Sequence, residues 1–255
     1  MLQRLEMIAL PKFPLVEPGD NVVEQIIQSL RESGLKLQHG DLLVIAQKVI
    51  SKAENRYVYL NEVTVSEHAL ELARQVDKDP RLVQLILDES EEVIRHRPGV
   101  IIVEHKLGYV HANAGIDKSN IISDTKNPRV LLLPKNPDAS AVGLRAGLEA
   151  KTGIKIPIII NDSAGRAWRN GVLGFAIGSA GFQPVMNLVG QKDLFACPLE
   201  VTCVAVADEL AAAASFMMGQ AAEAVPVVLV RGAKFPVVEV GSSDLIRPRS
   251  EDLFR

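Results

Sequence analysis

The sequence predicts a mixed α/β (α+β) fold, and three observations carry that reading. Short, nearly uninterrupted apolar runs recur at 41–46, 130–133, 157–160 and 226–231, as expected of strands buried on both faces. Between them lie stretches with apolar residues at helical spacing, such as Val22, Val23, Ile26, Ile27 and Leu30. The chain also opens as strand, helix, strand, the order that builds a sheet covered by helices.

Taken in order, residues 5–10 predict a first strand, ended by the rigid turn 11–14 with its two prolines. A helix follows over 21–33, with Asp20 or Asn21 as cap and Gly34 as stop. The run 41–46 is the next strand. Residues 47–56 leave it, and Lys48 and Lys52 share one face if this segment turns helically. Two amphipathic helices at 66–76 and 80–88 are separated near Asp79 and Pro80, and a strand follows at 100–103. The second half repeats the alternation. It has a strand at 130–133, a helix ending near Glu149, and a strand at 157–160 that feeds a loop at 161–171. A Gly-rich strand over 171–181, a helix over 205–219 and a strand at 226–231 complete it. The chain reads as one domain, 1–255, with a second subdomain around 60–105 or 190–245.

At 255 residues a sizeable core is available. Aromatic residues make up only 4% and the net charge is −3, which argues against a nucleic-acid surface. Cys197 and Cys203 lack zinc-ligand spacing and read as small buried hydrophobes in a reducing compartment. Neither a signal-peptide core nor an apolar run near the ~20 residues of a membrane span is seen. A soluble cytoplasmic protein is expected.

Two segments concentrate polar chemistry. The loop 111–120 contains Asp117 and Asn120, and the loop 161–171 contains Asp162, Ser163, Arg166 and Arg169. Mg²⁺ and Mn²⁺ take hard oxygen ligands and leave much of their shell to water and phosphate, so one carboxylate from each of two loops suits them. The bland alternatives are an Asx turn at Asp117 and a helix N-cap at Asp162. Arg166 and Arg169 flank Trp168. They read either as a fork for phosphate or carboxylate or as surface salt bridges beside a half-buried tryptophan. Lys48 and Lys52 are point charges for phosphate or a solvated helix face. Gly219 and Gln220 lie where the late helix passes to the last strand. His96, His105 and His111 show no metal-ligand spacing and read as structural or solvated. No Walker or dinucleotide fingerprint is present.

Several segments together resemble the coenzyme F-420:L-glutamate ligase family. They are 40–44 with 48–56, Ala112-Asn-Ala-Gly-Ile-Asp-Lys-Ser-Asn120, 131–138, Asp162-Ser-Ala-Gly-Arg-Ala-Trp-Arg-Asn-Gly171, 176–181, 207–211, Met218-Gly-Gln220 and the tail 247–254. The resemblance covers nearly the whole chain in one order. It implies an enzyme that joins L-glutamate to the phospholactyl carboxylate of a deazaflavin through an acyl phosphate. GTP is the implied phosphoryl donor, with Mg²⁺ or Mn²⁺ and often K⁺. It further implies a two-subdomain fold and an intertwined homodimer. Carried over by motif, Asp117, Asp162 and Ser163 hold metal. Phe13, Pro14, Leu15, Val16, Gln47, Lys48, Lys52 and Asn120 bind nucleotide, and Gly219 and Gln220 contribute to nucleotide or metal. Arg166 and Arg169 are the expected anion-binding pair. The chain departs from the family pattern at Gln47, at Ser163-Ala164 and at Gln220. Those departures leave open a different carboxylate substrate, or a metal–nucleotide binding protein without turnover. No C-terminal nitroreductase-like domain, as found in bacterial relatives, is expected.

Overall fold

A computed structural model describes residues 4–253; Met1–Gln3, and Phe254 at the end of the tail segment 247–254, lie outside the described residues. The first half of the chain runs β1 (Glu6–Ala9), α1 (Val22–Glu32), β2 (Leu42–Ala46), α2 (Gln47–Ala53), β3 (Tyr57–Tyr59), α3 (Glu67–Val76), α4 (Pro80–Asp88), β4 (Ser90–Arg97), β5 (Val100–His105) and β6 (Val110–Ala112). The second half runs β7 (Arg129–Leu131), α5 (Pro137–Thr152), β8 (Ile158–Arg166), β9 (Arg169–Ala180), β10 (Met186–Asn187), β11 (Cys203–Val204), α6 (Val206–Met218) and β12 (Val227–Arg231). The architecture is mixed α/β.

The largest sheet has five strands in the order β1-β12-β2-β8-β9. Only β2 and β8 pair in parallel; the other neighbours are antiparallel. The uncharged runs are explained by burial on both sides. Leu43, Ile45, Ile158 and Ile160 face a cluster shared with α1 and α5, whereas Leu42, Val44 and Ile159 face a cluster shared with α6. A strand covered on both faces has no polar side to alternate with. A further cluster is built wholly from residues 58–132, with Leu72, Val76, Val83 and Ile86 of α3 and α4 against Ile101, Val103 and Val130.

The helix termini follow the expected chemistry. Asn21, Ser66 and Asn136 accept backbone N–H bonds at the starts of α1, α3 and α5. Pro80 opens α4 behind the Asp79 cap. Helix α5 runs to Thr152, past the expected end near Glu149, and Gly153 closes it in the left-handed region. Gly174 on β9 has a different reason to be glycine. A Cβ there would come within 2.5 Å of the Ala211 carbonyl, Asn161 Oδ1 and Ser215 Cβ, so α6 lies directly on the strand.

Three expectations are corrected and one strand is added. Residues 161–171 are not a loop: β8 continues through Arg166 and turns tightly into β9 at Arg169. Asp162 and Ser163 are therefore strand residues rather than a helix cap. The charged run 90–97 forms strand β4 because its register with β5 has bulges and most of its side chains face solvent. Cys197 and Cys203 are exposed on the segment that carries the β10–β11 ribbon, not buried. Trp168, at the hairpin end, is 87% exposed instead of half-buried. Among the described residues no helix is long and apolar enough to cross a membrane.

Arg56, Glu89 and His105 tie three segments together. Arg56 Nη2 donates to Glu89 Oε2 (2.9 Å) and its Nε to the Leu133 carbonyl (2.7 Å). Leu107 N–H donates to His105 Nδ1, which leaves the ring proton on Nε2, 3.7 Å from Glu89 Oε2. His105, and then Arg56, hold the Glu89 carboxyl below its ordinary range although burial opposes them. A carboxyl group whose pKa falls on folding stabilises the fold above its unfolded value and loses that contribution as pH falls through the folded one. Glu89→Gln is expected to lower stability at neutral pH by about 1–2 kcal/mol. Denaturant melts should show the deficit shrinking as pH falls below the ordinary glutamate range; a pH-independent deficit would refute this account.

Candidate functional site

The parallel register sets Ala46 beside Asn161. Helix α2 therefore starts, and Asp162 follows, at the same end of two adjacent strands, the position where open α/β sheets bind ligands. A cavity of about 530 Å³ opens there. Phe13, Pro14, Leu15 and Val16 form one wall, and Gln47, Lys48 and Lys52 of α2 another. Asn120, Asp162, Ser163, Gly219 and Gln220 also line it. The sequence-predicted residues from five separate segments thus meet in one place.

Asp117 stands behind this wall, held by α2. Gln47 Nε2 donates to its Oδ2 (2.6 Å), and Lys48 Nζ lies 2.7 Å from the same oxygen. Gln47 is itself buried and accepts from Ser51 Oγ (2.8 Å), which fixes the amide so that its NH₂ faces Asp117. Burial raises the Asp117 pKa, and the nearby Asp162 charge adds to the effect, against the pull of Lys48 and Gln47. The Asp117 side chain is engaged by α2 rather than by an Asx turn, and its backbone pairs with Leu131.

His111, which the sequence reads as structural or solvated, is buried beside Asp162. Its Nδ1 donates to the Ala112 carbonyl (3.0 Å) and its Nε2 meets Asp162 Oδ2 (3.1 Å). Burial pushes the ring pKa down, but the hydrogen bond and charge of Asp162 outweigh it, and the net shift is upward. Phe175 packs against the His111 ring and holds it in place. The signal was adjacency: His111 begins the same loop that carries Asp117, but nothing local tied it to Asp162.

Lys52, one turn beyond Lys48, is held below the ordinary lysine value by burial and then by the Lys48 charge. Asn120 Nδ2 donates to the Ala221 carbonyl (3.0 Å), joining the Asp117 loop to the segment after Gly219. Gln220 Nε2 donates to Ser215 Oγ (3.0 Å), and Gly219 ends α6 with a positive φ of 73°. Tyr57, Arg129 and Glu17 line the cavity too, and sequence spacing pointed to none of them. Arg166 and Arg169 do not line the cavity. They pair across the exposed end of the β8–β9 hairpin.

Asp162 and Ser163 put a carboxylate and a hydroxyl on the cavity wall, oxygen donors of the type that hard divalent cations take. Among the described residues no group of three or more His, Cys, Asp or Glu side chains could hold a metal, so a closed zinc-type site is not formed. Fold and cavity together define an α/β protein with a cleft at the strand ends lined by Lys48, Lys52, Asp162 and Ser163, with Asp117 behind it on Lys48.

Residues 11–232 match the F420-0:Gamma-glutamyl ligase family, and the chain belongs to that family. It is 44% identical over 253 residues to the coenzyme F420:L-glutamate ligase of Methanothermobacter thermautotrophicus, covering 98% of this chain and 99% of that protein. It is 42% identical over 253 residues to the protein of the same name from Methanocaldococcus jannaschii, covering 99% and 98%.

Gln47 and His111 each orient a carboxylate rather than offering a ligand. Gln47→Met and His111→Leu are expected to weaken Mn²⁺ binding by roughly 10–100-fold, as loss of an orienting partner does. Mn²⁺ electron paramagnetic resonance titration would check this. Affinity equal to that of the parent protein would show that neither residue positions a metal-binding carboxylate.

Proposed function

We propose that the protein joins L-glutamate to the terminal carboxylate of a phospholactyl deazaflavin, with GTP as phosphoryl donor. The observation that carries this reading is the convergence of Asp162, Lys48 and Lys52 on one cavity, with Asp117 held behind it by Lys48, in a chain of the γ-glutamyl ligase family. The substrate carboxylate attacks the γ-phosphorus of GTP, GDP leaves, and an acyl phosphate forms. The glutamate amine then attacks the acyl carbon, phosphate leaves and the amine releases a proton. Such chemistry needs positioning and charge neutralisation more than a protein nucleophile.

Mg²⁺ or Mn²⁺, held by Asp117, Asp162 and Ser163, would neutralise phosphate charge; K⁺ is the further proposed cofactor. Gln47 orients Asp117 and His111 orients Asp162. Lys48 and Lys52 neutralise phosphate oxygens. Phe13–Val16, Asn120, Gly219 and Gln220 close the cavity around the nucleotide. The identities of the relatives support the acid and amine substrates; the cation-lined cavity supports the phosphorylated donor.

The reading includes a homodimer. Strand β9 ends the sheet, and Trp168, Val172 and Phe216 are exposed around it, an apolar surface that a second copy would cover. Arg166 and Arg169 lie off the cavity of their own chain, so their proposed role is to bind substrate anion from the second copy.

With the deazaflavin acid, glutamate, GTP and Mn²⁺ all present, mass spectrometry should show the glutamylated product and stoichiometric GDP. Omission of either acceptor should abolish phosphate release. Asp162→Asn should lower kcat/KM by about 100-fold or more. Steady GTP binding with no product under these conditions would defeat the reading. Trp168→Asp combined with Phe216→Asp should elute as a monomer by light scattering; an unchanged molar mass would exclude this surface as the interface.

A further inference from the structure

We propose that Arg129, laid against Tyr57, is a third phosphate-binding cation of this cavity and takes the polyphosphate of the nucleotide together with Lys48 and Lys52. The proposal rests on the nucleotide-dependent ligase function and deepens it.

Arg129 opens β7, which pairs antiparallel with β3, and Tyr59 lies directly opposite it in the register. Tyr57 is its diagonal neighbour on the same face, within reach of long side chains. The Arg129 guanidinium carbon sits 3.9 Å from the centroid of the Tyr57 ring, a cation–π contact. Both side chains line the cavity, alongside Lys52.

A purely structural role accounts for part of this arginine. Its Nε donates to the Ile122 carbonyl (2.6 Å) and its backbone N–H to Ser123 Oγ (2.9 Å), which ties down the loop after Asn120. It does not account for the rest of the guanidinium. Among the described residues, neither Arg129 nor Lys52 forms an ion pair with a carboxylate, whereas Lys48 has Asp117. Glu17 and Asp117 act on Lys52 through their charges, yet among the described residues neither forms an ion pair with Lys52 or Arg129.

The cations are also arranged in sequence. Lys48 is at the carboxylate end, Lys52 lies one turn along α2, and Arg129 acts electrostatically on Lys52 from the facing strand. Lys48 and Arg129 both repel Lys52 on this partly buried wall, and an anion of several charges suits the three together. A polyphosphate carries three or four, whereas a phosphodiester carries one. Tyr57 keeps the guanidinium plane fixed, so its remaining N–H donors point as a rigid fork, the geometry that suits phosphate oxygens.

Calorimetric titration of the full chain with tripolyphosphate in EDTA tests this without turnover or metal. Arg129→Met should weaken binding by about tenfold or more. Arg129→Lys should fall between, because it keeps the charge and loses the fork. Tyr57→Leu should lose affinity as Arg129→Met does, and Tyr57→Phe, which keeps the ring, should restore it. Arg129→Met binding tripolyphosphate like the parent, with its circular dichroism intact, overturns the proposal. So does a variant that loses affinity only for the deazaflavin acid, which would assign Arg129 to that substrate. Parent protein that binds neither tripolyphosphate nor GTP sinks both this proposal and the ligase reading. Arg129-dependent binding without ligation leaves this proposal standing and removes only the ligase reading.

Discussion

Leu43–Ala46 pair in parallel with Ile158–Asn161, and that register decides where the cavity groups of α2 and β8 sit. Two parallel strands present their carboxyl ends together, so the segments leaving them are delivered to one place. Strand β2 hands over to α2, with Gln47, Lys48 and Lys52; strand β8 runs on into Asp162 and Ser163. A slip by one residue would turn Asp162 to the other face of the sheet. The register is protected by burial: Leu43, Ile45, Ile158 and Ile160 are fully buried, and a shift would move them into the opposite cluster.

Around that frame the cavity balances opposite charges with little margin. Asp117 is desolvated, and Lys48 and Gln47 offset only part of the cost. Asp162 is matched by His111, whose second nitrogen is satisfied by Ala112, so the ring cannot rotate away. Stability alone does not require such arrangements of buried polar groups. Their concentration beside the cavity at the strand ends is what supports the proposed function there.

Much of this was legible in the sequence. The apolar runs located strands β2, β8 and β12 because a strand buried on both faces has no other composition open to it. The lysine spacing placed Lys48 and Lys52 on one helix face. Other features were hidden for physical reasons. The small and polar residues after Asn161 imitate a loop, yet hairpin hydrogen bonds to β9 keep them extended. Strand β4 is mostly charged because its faces are solvated, so it lacks the apolar signal. The meeting of His111 with Asp162 and the stacking of Arg129 on Tyr57 are tertiary facts without a local pattern. Gln47, a departure by family pattern, turned out to be a buried orienting group for Asp117, a role its chain position alone did not disclose.

The Lys48 ammonium and the Gln47 amide both sit on Oδ2 of Asp117, the carboxylate of the proposed cation site. A divalent ion arriving alone meets a like charge already in residence. A phosphate group offers Lys48 a different partner and draws it off that carboxylate. On the proposed chemistry, ion and nucleotide therefore help one another to bind, and linkage requires each to raise the other's affinity by the same factor. The enzyme would hold its metal loosely between turnovers and tightly only while nucleotide is present.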